Sequence, residues 1–165
     1  MRGRWILVSL CLLLAGCPAF WGCRDQGSGG LTGRPAPEFA VTMLDGRTVS
    51  LKELRGKPVL LEFWAPWCGG CLENIPPLRQ LHQRFGGQIA LIAASSETGK
   101  KTVARFVSEH GLPYPVALSN QQLLDAFQVS AIPVTVLIDR EGVVRYHHAG
   151  QFALGQMEQR IKGLL

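Results

Sequence analysis

Two cysteines three residues apart, Cys68 and Cys71, lie in the run Trp67-Cys68-Gly69-Gly70-Cys71. An apolar stretch, Val59 to Trp64, precedes them, and a helical pattern from about Leu72 to Phe85 follows. At a strand-to-helix junction this spacing puts both residues within one turn, with Cα atoms about 5–6 Å apart, as a disulfide favours. The first of the pair meets the unpaired N–H groups and positive dipole end of the helix, which stabilise a thiolate. Such a pair can open and close repeatedly, so the chemistry it suits is redox. A buried staple and half of a zinc site are the competing readings. Zinc needs two more ligands, and the chain has no second CxxC and no HxxxH.

Within the pair, Cys68 is nearer the open end of the helix and is the expected attacking thiol, with Cys71, one turn in, resolving the mixed disulfide. Pro66 and Trp67 border the exposed sulfur. Glu62 interrupts an apolar strand that reads as buried on both faces. An isolated buried carboxylate is costly, so Glu62 is expected to have a raised pKa and to serve in proton transfer. The bland alternative is an edge-strand glutamate reaching solvent. Pro133 opens a strand, where proline is tolerated.

The segment FWAPWCGGC resembles the active-site run of thioredoxins, and in particular of the membrane-tethered TlpA/ResA-like thiol-disulfide oxidoreductases. The resemblance extends from Pro35 to about Leu165. It rests on Pro35-Ala36-Pro37-Glu38-Phe39, the Leu44-Asp45-Gly46 turn, Trp67-Cys68-x-x-Cys71, Pro76, and Ile132-Pro133 before a strand. It implies that Glu62, six residues before Cys68, takes the place of the buried acid that thioredoxins set beneath the resolving cysteine. It also implies that Pro133 is cis and packs on the sulfurs, leaving the backbone of Ile132 to pair with substrate. Gly70 departs from the pattern, because this family most often has proline there.

The elements that must hold these residues are legible in order. Asp45-Gly46 joins two short strand-like runs as a hairpin. Ser50 to Leu54 reads as a capped helical turn with Glu53 completing a capping box. The active-site helix shows Leu72, Ile75, Leu78, Leu81 and Phe85 on one face, with a kink expected at Pro76-Pro77 and Gly86-Gly87 ending it. Ile89 to Ala94 is a second buried strand, and Lys100 to His110 a helix stopped by Gly111. Pro115 to Leu118 and the helix capped by Asn120 look like the central strand–helix insertion of the TlpA/ResA-like group. A hairpin, Val134–Asp139 with Val143–His148, and a last helix from about Leu154 to Leu164 complete the chain. The fold class is therefore α/β: a thioredoxin-like central mixed β-sheet flanked by helices, with an N-terminal hairpin.

The chain has 165 residues, enough for one domain. Met1-Arg2-Gly3-Arg4 is a basic start, Trp5 to Leu14 an apolar stretch too short to span a bilayer, and Leu14-Ala15-Gly16-Cys17 resembles a bacterial lipobox. The expected organisation is a lipoprotein signal peptide at 1–16, a lipidated Cys17 with a glycine-rich tether at 17–34, and the folded domain at 35–165. A plain signal peptide or short uncleaved anchor is the alternative. Either places the domain outside the cytoplasm, on the periplasmic side. Cys23 is left as an odd cysteine in the tether. Without Arg2 and Arg4, 15 basic residues face 12 acidic ones, too weak and dispersed a balance for nucleic-acid binding.

The reading these features support is a monomeric, membrane-anchored protein-disulfide reductase with no dissociable cofactor, its redox centre being the Cys68–Cys71 disulfide. The resemblance implies partners such as apocytochromes c or copper-site assembly proteins, and a membrane thiol donor of electrons. A copper metallochaperone is one alternative. However, such chaperones use a wider Cys-x-x-x-Cys spacing, and period 2 sends His147 and His148 to opposite faces. A peroxiredoxin-like thiol peroxidase is another, but it usually carries Thr or Ser where this chain has Ala65.

Overall fold

A computed structural model describes residues 30–165. The expected signal peptide, Cys17, Cys23 and most of the expected tether lie outside the described residues. In chain order the elements are β1 (Ala40–Met43), β2 (Thr48–Ser50), a 3-10 turn (Leu51–Leu54), β3 (Val59–Trp64), α1 (Gly69–Phe85) and β4 (Ala90–Ser95). Then come α2 (Lys100–His110), β5 (Val116–Leu118), α3 (Gln121–Ala126), β6 (Val134–Ile138), β7 (Val144–Ala149) and α4 (Leu154–Lys162). The seven strands form one sheet in the order β2-β1-β5-β4-β3-β6-β7. β3 runs parallel to β4 and antiparallel to β6, so the sheet is mixed, as expected.

β3 is central, and every one of its residues is buried. Strand alternation divides it. Leu60 and Trp64 face a core shared with α1, α2 and α4, whereas Val59, Leu61 and Phe63 face a second core with Leu51, Leu123 and Phe127. Phe127 anchors the second core by packing against both Phe39 and Phe63. Glu62 belongs by its phase to the first face, the one that α1 covers. This rules out the edge-strand alternative for Glu62.

The local signals hold. Ser50 caps the 3-10 turn and Glu53 returns the bond to the Ser50 N–H, the capping box. Gly111 closes α2 in the left-handed conformation at φ 57°. α1 runs through Pro76 and Pro77 without a break in helical backbone, although neither proline can donate to the carbonyl four residues back. Two assignments change. The sequence pattern places Leu72 on the inward face, yet it is 38% exposed, because it lies about 100° around the helix from Cys71, off the buried stripe of Cys71, Asn74, Ile75, Leu78, Leu81 and Phe85. The tether also ends earlier than Pro35. Leu31 is buried in the second core, Gly33 N–H donates to the Val144 carbonyl, and Val144 N–H donates to that of Arg34. Leu31 to Arg34 are therefore packed against the margin of β7.

Candidate active site

Cys68 is the N-cap of α1, and its sulfur accepts from the Cys71 N–H at 3.2 Å. That donor and the helix N-terminus both favour negative charge on Cys68 once the pair is reduced. Here the two cysteines are joined as a disulfide, with Cα atoms 5.2 Å apart. Cys68 is 9% exposed and Cys71 2%, so only the first sulfur can be reached from solvent. The Ile132 carbonyl oxygen lies 3.7 Å from Cys68 Sγ. The Ile132–Pro133 peptide is cis, and the Gly150 N–H donates to the Pro133 carbonyl at 2.8 Å, holding the loop from behind. Trp67, at 69% exposed, and Leu72 are exposed apolar neighbours of the pair in sequence, while Pro66 and Ile132 are half-buried.

Glu62 is 1% exposed. Its Oε1 accepts from Asn74 Nδ2 at 2.8 Å and its Oε2 from the Thr135 hydroxyl at 2.5 Å. Burial pushes its pKa up to about 7, with the two hydrogen bonds working the other way. Asn74 lies on α1 three residues after Cys71, on the same buried face, so its hydrogen bond ties the carboxyl to the stretch of helix that carries the shielded cysteine. The sequence reading does not single out Asn74 or Thr135. A buried-face asparagine within the apolar stripe of α1 is a usable signal. Thr135 gives none, because threonine is an ordinary strand residue.

Gly70 explains a second neighbour. A side chain there would meet Gln151 Nε2 at 2.9 Å and Pro133 Cδ at 3.5 Å, so the Gln151 carboxamide occupies the space that a larger residue would take. Glycine costs a helix up to about 1 kcal/mol relative to alanine. The disulfide restrains this turn when oxidised, so the cost falls mainly on the reduced form. Gly70→Ala should therefore make the pair more oxidising by roughly 20 mV. Gln151 must swing aside, which a flexible side-chain end can do. Equilibration against glutathione checks the sign, and a more reducing variant would refute this account.

The histidines stand apart from the sulfurs. His147 is buried on the second face, its Nε2 2.7 Å from the Phe127 carbonyl, while His148 pairs with Thr135 across the ladder on the first face. The two rings thus point to opposite faces, as strand periodicity requires. His110 stacks on Phe106, and His82 meets Tyr114 edge-on. Ala65, fully buried, offers no hydroxyl near Cys68. Among the described residues no group of three or more His, Cys, Asp or Glu could hold a metal ion, and no helix is long and apolar enough to cross a membrane.

A mixed sheet with a CxxC disulfide at a helix N-terminus and a cis-proline loop against it defines a thiol-disulfide oxidoreductase of the thioredoxin fold. The AhpC/TSA family model matches residues 32–147, and the chain belongs to that family as one of its ResA/TlpA-like members. The thiol-disulfide oxidoreductase ResA of Bacillus thuringiensis is 33% identical over 132 residues, covering 79% of this chain and 76% of the relative. The thioredoxin-like protein YneN of Bacillus subtilis is 29% identical over 168 residues, 98% of each chain. Among solved structures, the exposed lipoprotein thioredoxin of Streptococcus pneumoniae is similar with a TM-score of 0.65 at 28% identity, over 78% of this chain and all of that one.

Proposed function

We propose that this chain is a lipid-anchored, extracytoplasmic reductant of specific protein disulfides. The observation that carries the reading is the contrast within the pair: a more exposed cysteine capping a helix N-terminus, and a shielded one on the same helix face as the asparagine that holds a buried carboxyl. The Cys68 thiolate attacks a partner disulfide, one partner sulfur leaves as thiolate, and a mixed disulfide forms. Cys71 then gives its proton to Glu62 and attacks Cys68, releasing the second partner sulfur. Two electrons pass to the partner, and Cys68–Cys71 closes as the disulfide seen here. A membrane thiol donor reopens it, and no dissociable cofactor takes part. Trp67, Pro66 and the Ile132–Pro133 backbone form the docking rim.

The likeness to TlpA/ResA-like proteins supports apocytochromes c awaiting haem, or copper-site assembly proteins, as partners. The test is to trap mixed disulfides with Cys71→Ser at the membrane and identify what Cys68 holds. The lipobox-like Leu14-Ala15-Gly16-Cys17 supports anchoring at Cys17, as does the likeness to a lipoprotein thioredoxin. The protein should accordingly partition into detergent. Cys17→Ser should leave it uncleaved or mislocalised, with the domain's redox activity unchanged. Wild-type protein found freely soluble outside the cytoplasm would end the anchor assignment.

A further inference from the structure

Two elements meet at the carboxyl of Glu62 in β3, and a third holds one of them in place. Asn74 of α1 and Thr135 of β6 each donate to one of its oxygens, and all three residues are at most 1% exposed. The third element is the loop between β7 and α4, where the Phe152 N–H donates to Asn74 Oδ1 at 3.4 Å. An N–H cannot point at an amide nitrogen, so the Asn74 NH2 group is turned toward Glu62, where it can only donate. Against a carboxylate the Thr135 hydroxyl can also only donate. Both partners therefore favour the charged form, in opposition to burial.

The other titratable groups near this carboxyl come from each surrounding element. Cys71 is one turn above Asn74 on α1, and His148 sits beside Thr135 on β7. Tyr114, before β5, and Tyr146, on β7, are both pushed up, first by burial and further by negative charge on Glu62. Arg79 and Arg160 lie beyond them and act on Tyr114 and Tyr146 respectively. The donors that touch the carboxyl itself are neutral.

We propose that Asn74 and Thr135 are positioning residues that hold the Glu62 carboxyl and set the pH at which it takes up the proton lost by Cys71. This rests on the proton-acceptor role given to Glu62 above. Thr135→Val keeps the shape of the side chain and removes one donor to the charged form. The Glu62 midpoint should rise by on the order of one pH unit. At pH 7 the ionised fraction would then fall from about a half to about a tenth, slowing resolution of the mixed disulfide roughly fivefold. Thr135→Ser, which keeps the hydroxyl, should restore the wild-type midpoint. Asn74→Ala should move it in the same direction as Thr135→Val.

The experiment is carbon-13 NMR titration of the oxidised protein with carboxyl-labelled glutamate, the Glu62 signal being the one missing in Glu62→Gln. The pH profile of mixed-disulfide resolution accompanies it. A raised midpoint in Thr135→Val that returns in Thr135→Ser supports the proposal. Midpoints equal to wild type in both Thr135→Val and Asn74→Ala overturn it, even if Thr135→Val melts at a lower temperature. If Glu62→Gln resolves as fast as wild type, the acceptor role falls instead, and the NMR midpoints still judge the clamp separately.

Discussion

Cys71→Ser will stop turnover and leave the partner bonded to Cys68. The first attack needs only Cys68, whose sulfur is the exposed one and keeps the Cys71 backbone N–H as a donor after the side chain changes. The second attack has no nucleophile once Cys71 is serine, because a hydroxyl does not displace a sulfur at neutral pH. Catalytic reduction of a protein disulfide should therefore drop by several orders of magnitude, while a single round of adduct formation continues at near the wild-type rate. Cys68→Ser provides the contrast. It loses activity equally but collects no adduct, because Cys71 is 2% exposed and out of reach of a folded partner. Non-reducing gels of both variants, with mass spectrometry of the adduct, decide the matter. An adduct on Cys71 in the Cys68→Ser protein would reverse the assigned roles.

Glu62→Gln should slow resolution near neutral pH, with little change in the initial attack by Cys68. Glutamine fits the site: its oxygen can accept from Asn74, and its NH2 can donate to the Thr135 hydroxyl after that hydroxyl rotates. What is lost is a proton acceptor with a pKa of about 7, well matched to the working pH. General acid–base contributions are typically about 10²–10⁴-fold, less where water reaches the site. Stopped-flow reduction of a model disulfide from pH 6 to 9 should show the mixed disulfide accumulating in the variant. Equal resolution rates across that range would leave Glu62 a purely structural acid.

The same substitution has a thermodynamic signature. Burial raises the folded pKa of Glu62 from 4.5 to about 7, so between those values the folded protein keeps a proton that the unfolded chain has released. Stability contributed by the neutral form is complete below pH 4.5 and is lost as pH rises through the folded pKa, for a total of roughly 3 kcal/mol. Glutamine does not titrate. The melting temperature of Glu62→Gln relative to wild type should accordingly climb between pH 5 and pH 8.

Much of this site is legible in the amino-acid sequence. Glu62 announces itself by interrupting an apolar strand, and the CxxC by its place between that strand and an apolar-faced helix. Other parts are not legible there. Leu72 reads as inward only while Cys71 and Asn74 are left out of the buried stripe of α1; once they are in it, Leu72 falls about 100° away. Leu31 to Arg34 read as linker because their glycine-rich surroundings carry no strand pattern, and the partner of Gly33 and Arg34, Val144, is more than a hundred residues away in the chain. Thr135 acquires meaning only when β6 is laid beside β3, where it stands opposite Glu62. The cis state of Pro133 follows from the family likeness alone, since proline in a loop adopts either isomer.

The segment packed along β7 also bears on self-association. A sheet with open margins is a template on which a neighbouring molecule can add strands and begin a polymer. In this sheet one margin is β2, only three residues long. The other is interrupted at Val144 by Arg34 and Gly33, and beyond that point it carries the charged Arg145. A register shift between Leu137 and Ile138 further breaks its regularity. Neither side offers a long, flat run to a foreign chain. Among the described residues, an extended polypeptide that approaches is thereby given few unproductive places to zip on, which under the proposed function favours its lying along Ile132, beside the Cys68 sulfur.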